Sequence, residues 1–181
     1  VDFKVTAKAM QEAFRYDVNT CQSSPHLNWV DLLSYLGTRY GGDFSKYSTK
    51  DLDTLAEQLL SGKTLEELTA NMKYYTYYRQ AYGAVLDGLV GQYDIQIAAE
   101  NAPLFATPAV NSDGTTDPDR VWVTKYGLKA FSPIAKGFPY QDYDDFGVSR
   151  SYGYKRQHLG HDMMGQVGTP IIAVESGYVE A

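Results

Sequence analysis

The chain contains one cysteine, Cys21, among 181 residues. An internal disulfide is therefore excluded, and so is any metal site built on paired thiolates. A lone cysteine reads first as a small buried hydrophobe. No apolar run reaches the roughly 18 residues that a membrane-spanning helix needs, so the sequence offers no transmembrane segment. Nor does a basic stretch followed by an apolar one open the chain. Positive charge is scarce: 16 Lys and Arg stand against 22 Asp and Glu, for a net charge of −6 and a pI near 5.0. Nucleic acid is a poor partner for such a chain, because phosphate binding needs a basic face. A membrane surface is disfavoured on the same ground. Histidine is limited to His26, His158 and His161.

Apolar residues are plentiful at 44%, enough for a packed core and against global disorder. The length suits one domain, or a small domain with part of a second. Tyrosine is abundant, with 16 copies. Its ring and hydroxyl serve sugar or peptide contact and the rim of a core equally well.

The first half reads as helical. Apolar residues at Ala9, Met10, Ala13, Phe14 and Val18 predict a helix from Thr6 to about Asn19. Leu27 to Tyr40 follows Pro25 with Val30, Leu33 and Leu36 in step, and Gly41-Gly42 stops it. Ser48 is the expected N-cap of a third helix whose stripe is Leu52, Leu55, Ala56, Leu59 and Leu60. Thr64 and Glu67 form a capping box, which predicts a fourth, long helix to about Val90. Tyr75, Tyr78 and Tyr82 share a stripe on it. A packing face is the first reading of that stripe, and a sugar- or peptide-stacking surface the second. Beyond Gly91 the period changes to two: Tyr93, Ile95 and Ile97 alternate with polar residues, Asp113-Gly114 marks a turn, and Val121 to Thr124 is rich in β-formers. The expectation is an α+β protein with a helical domain over residues 1–92, a β and loop connector over 93–130, and a β-rich segment over 131–181.

One cluster carries chemistry. His158-Leu159-Gly160-His161-Asp162 follows Tyr152-Gly153-Tyr154-Lys155-Arg156. Imidazole and carboxylate are both good zinc ligands, and a four-residue gap turns His158 and Asp162 to one side. Gly160, Gly165, Gly168 and Pro170 argue against a helix there. The pair is expected on a loop or strand leading into a hairpin, with Thr169 to Val174 as a strand and Glu175-Ser176-Gly177 as the turn. His26, beside Pro25 at a helix start, reads as a capping or solvent-facing residue rather than a ligand.

The string His158-x-Gly160-x-Asp162, followed by Gly168-Thr169-Pro170, the apolar run to Val174, and Gly177-Tyr178-Val179, resembles the first half of LytM/lysostaphin-type zinc metallopeptidases. Phe131-Ser132-Pro133-Ile134 and Phe146-Gly147 with Arg150 resemble that family's entry. The likeness covers residues 131–181; residues 1–125 match none of the family's shared motifs. It implies the first part of an antiparallel-β peptidase domain that continues past residue 181. It implies zinc as cofactor, with His158 and Asp162 as metal ligands, and an active-site tyrosine at Tyr152 or Tyr154. His161 falls at a variable position and is expected at the surface or beside a ligand. The implied activity is endopeptidase cleavage of peptidoglycan peptides, at an extracellular or cell-wall location, with anchoring through a segment upstream of Val1 as one arrangement. The family's second motif, H-x-H, supplies a third ligand and a catalytic histidine, and no histidine follows His161. A longer protein is the preferred explanation, because a degenerate member has little reason to keep both His158 and Asp162. Residues 1–181 alone are then expected to be inactive. The alternatives are a non-catalytic LytM-like domain that binds the wall or regulates another hydrolase, and a structural helical domain whose tail only resembles the motif.

Overall fold

The computed structural model describes residues 4–143, 145, 147–151 and 153–174. Contacts divide the chain into two compact units, residues 1–129 and 130–181.

The first unit is built from helices whose ends are set locally. Helix α1 (Ala7–Thr20) starts where the Thr6 hydroxyl accepts from the Ala9 N–H. Helix α2 (Trp29–Tyr40) starts two residues later than its apolar pattern, because the Asn28 side chain accepts from the N–H groups of Val30 and Asp31. It ends on Gly41, in the left-handed conformation at φ 64°, which glycine adopts without a Cβ penalty. Helix α2 is the centre of the bundle: it packs against α1, α3 (Thr49–Leu60) and α5 (Tyr75–Leu86). Leu32, Leu33 and Leu36 of α2 meet Leu52 and Leu55 of α3, with Phe44 and Tyr82 filling the remaining space. Each such side chain contributes about 1.5–3 kcal/mol by leaving water.

Four expectations change here. Ser48 stands at the α3 N-cap position with extended backbone, but its side chain makes no capping bond. Leu60 is 49% exposed, so the buried stripe ends at Leu59. The long fourth helix is two helices. The capping box of Thr64 and Glu67 is present and opens α4, but α4 spans only Leu65–Thr69. The Thr69 hydroxyl donates back to the Leu65 carbonyl, a bond that competes with helix continuation. Turns closed by Met72 N–H on Thr69 and Tyr75 N–H on Met72 then redirect the chain into α5. The tyrosine stripe of α5 is a packing face: Tyr82 is 1% exposed and Tyr78 packs on the core, whereas Tyr74 and Tyr77 face outward. Cys21 is a half-buried free thiol at the end of α1, not a core residue.

A three-stranded antiparallel sheet completes this unit, in the order β1–β3–β2. Strand β1 is Val90–Ala98, β2 Thr107–Val110 and β3 Thr116–Leu128. Val90 pairs with Leu128 and Ile95 with Val123. Strand β3 extends well beyond the expected Val121–Thr124. Its turn from β2 includes Gly114 at φ 84° and Asp113, which accepts from Thr115.

The second unit is strand and loop. Strand β4 (Tyr140–Tyr143) pairs with β7 (Asp162–Gly165), and β5 (Ser149–Ser151) pairs with β6 (Lys155–Gln157). Residues 131–135 lie antiparallel to 170–174, through Phe131 N–H to Val174 O and Ile172 N–H to Pro133 O, each 2.8 Å. Only Ile134 and Ile171 form a bridge there, so the expected strand over Thr169–Val174 is not regular. The expected turn and strand over Glu175–Val179 lie outside the described residues. The mixed α and antiparallel-β class agrees with the expectation. Among the described residues no helix is long and apolar enough to cross a membrane.

Candidate metal centre

The two small sheets of the second unit bring distant residues to one place. Register pairs Tyr143 of β4 with Asp162 of β7, so Asp145 just past β4 emerges beside Asp162. Register also pairs Ser149 of β5 with Gln157 of β6, so His158 just past β6 emerges beside the start of β5. The backbone of His158 is fixed on both sides: its N–H donates to Val148 O at 2.9 Å, and its carbonyl accepts from Gly147 N–H at 2.6 Å.

His158 Nε2 lies 3.3 Å from Asp162 Oδ1. The expected ligand pair therefore does turn to one spot. Asp145 joins it, with Oδ1 3.5 Å from His158 Nε2. One ligand atom from each of the three lies within 4.8 Å of the other two, the only such group among the described residues. Arg150 of β5 closes the outer side. Its Nη2 bonds Asp145 Oδ2 and reaches Asp162 Oδ2 at 2.8 Å. The guanidinium thus occupies the outer oxygen of each carboxylate, and the Oδ1 atoms face His158.

The remaining candidates lie elsewhere. His161 turns Nε2 to Asp142 Oδ1 at 3.0 Å, at the surface as expected. Tyr154 sits in the turn between β5 and β6 with its side chain 66% exposed. Tyr152 lies outside the described residues. His26 belongs to the first unit; it is no cap but is exposed as expected, and it is paired rather than free. Its Nε2 lies 2.9 Å from Oδ1 of the fully buried Asp17, which also accepts from the Tyr126 hydroxyl and the Trp29 N–H.

Asp145 and the role of Arg150 are absent from the sequence reading. The available signal is Asp144-Asp145 directly before Phe146-Gly147. A carboxylate so far upstream of His158 acquires meaning only from the pairing of β4 with β7. No family model, no curated protein and no solved structure matches the chain.

Proposed function

We propose that this chain belongs to a zinc-dependent endopeptidase that hydrolyses peptide bonds in bacterial peptidoglycan, of the LytM/lysostaphin type and working outside the cell or in the wall. The observation that carries the reading is the meeting of His158 Nε2 and Asp162 Oδ1 at 3.3 Å within an H-x-G-x-D motif. The donor set suits zinc, which takes imidazole nitrogen and carboxylate oxygen readily. His158 Nε2 and Asp145 Oδ1 are shut off from solvent without a hydrogen-bond partner, a condition that a bound cation relieves.

When bound, zinc supplies a Lewis acid for the scissile carbonyl and lowers the pKa of its water. The chain's own part is to hold and aim. His158 and Asp162 are the protein ligands in this reading. Arg150 fixes the Asp162 carboxylate so that Oδ1 stays turned to His158. Tyr152 or Tyr154 is the hydroxyl that the family resemblance offers for orienting a substrate carbonyl.

The test is digestion of purified peptidoglycan by the full-length protein. Cleavage should require metal and stop with a chelator. His158→Ala should lower the rate by more than the about 10–100-fold expected when a residue supporting a ligand is lost. Full activity in His158→Ala would refute the assignment.

A further inference from the structure

We infer that Asp145 is a third protein ligand, so that residues 145–162 form a transition-metal site without help from any later segment. The inference rests on the reading of His158 and Asp162 as a ligand pair, and it changes what that pair needs.

The two distances from His158 are those of a metal's coordination edges. Ligand atoms held about 2.0–2.2 Å from a tetrahedral zinc ion stand roughly 3.3–3.6 Å apart. His158 Nε2 lies 3.3 Å from Asp162 Oδ1 and 3.5 Å from Asp145 Oδ1. A direct charge-assisted hydrogen bond from a protonated imidazole would be shorter, about 2.7–2.9 Å. Neither contact is a hydrogen bond, and both Asp145 Oδ1 and His158 Nε2 are buried atoms without a partner. Leaving a buried polar atom unsatisfied is costly, and one cation between the three residues satisfies both atoms together.

Arg150 accounts for the aim of the carboxylates. By taking Oδ2 of Asp145 and of Asp162 with the same nitrogen, it leaves one oxygen of each for the ion. Support of this kind from outside the ligand set is what orients ligands in metal sites generally. One imidazole and two carboxylates select an ion of the zinc class. Calcium takes six or more oxygen ligands, and magnesium keeps most of its waters.

Cobalt(II) is the probe, titrated into the 181-residue chain and followed by visible absorption, with circular dichroism to confirm folding. The chain should bind one equivalent. Asp145→Asn, which is nearly isosteric, should weaken binding at least tenfold, as should His158→Ala. Asp142→Asn, which touches only the His161 pair, should change nothing. Asp145→Cys should add a thiolate-to-cobalt charge-transfer band in the near ultraviolet that the parent chain, with its Cys21, lacks. Loss of binding in His158→Ala with undiminished binding in Asp145→Asn and no new band in Asp145→Cys would overturn the Asp145 ligand and leave the proposed function standing. Binding indifferent to His158→Ala would remove both. A chain that takes up no cobalt would overturn the self-sufficient site, and the chelator test of peptidoglycan digestion would then decide the proposed function separately.

Discussion

Gly37 is set by its neighbour. A Cβ at this position of α2 would stand 2.7 Å from the Tyr82 hydroxyl oxygen and 2.8 Å from Cε2 of the ring. Tyr82 is among the most buried side chains and cannot swing clear. Two effects oppose each other in Gly37→Ala. Alanine favours the helix by about 1 kcal/mol, and overpacking costs about 1–3 kcal/mol. With contacts under 3 Å to an immobile ring, overpacking should win. The variant should unfold at lower urea with an unchanged m-value, and a raised midpoint would show that Tyr82 yields. At the same scale His26 shows where sequence reading stops. Its neighbour Pro25 pointed to a helix start, but its partners are Asp17 and, 100 residues away, Tyr126 at 3.3 Å. No local pattern encodes a contact of that separation.

Helices α1, α2 and α3 and strand β1 were legible because each carries its own period, and Gly41-Gly42 marked the end of α2. The Thr64–Glu67 capping box was legible as well, since both its bonds are local. The break between α4 and α5 was not. Residues Ala70 to Tyr74 contain neither glycine nor proline, and the stop comes from hydroxyl back-bonding and turn closure. Helix ties through tyrosine are a further property that only the assembled bundle shows. Tyr16 of α1 donates to Asp53 of α3, and Tyr40 of α2 donates to Asp51 of α3, each at 2.7 Å. Burial first, then the carboxylate acceptor, pushes both phenols up to about 12 from 10.0. A group whose pKa is raised on folding stabilises fully below its unfolded value. These ties therefore hold below pH 10 and are lost as pH rises from 10 to 12. Absorbance titration should show some of the 16 tyrosines ionising late, together with loss of helical circular dichroism. Ionisation of all of them near pH 10 with the helices intact would contradict these ties.

The two units differ in how much apolar side chain they bury. The first buries a helical core of leucines and aromatics. In the second, Ile134 is the only fully buried hydrophobic side chain among the described residues, while Phe131, Phe138, Ile171 and Ile172 stay exposed. Several of these line an apolar cleft of about 410 Å³ with Ile134 and Tyr140. So small a buried core is marginal, and in such a unit metal ligation is itself folding free energy. The His158 and Asp162 pair was legible because its spacing is short and its flanks are distinctive. Asp145 was not, because its place depends on two strand registers at once. The central claim is that these side chains hold zinc, and zinc K-edge X-ray absorption of the zinc-loaded 181-residue chain tests it most directly. The account predicts a four- or five-coordinate ion with one imidazole nitrogen at about 2.0–2.1 Å and the remaining ligands oxygen at about 2.0–2.2 Å. A spectrum of fully hydrated zinc, or one unchanged by His158→Ala, would contradict it.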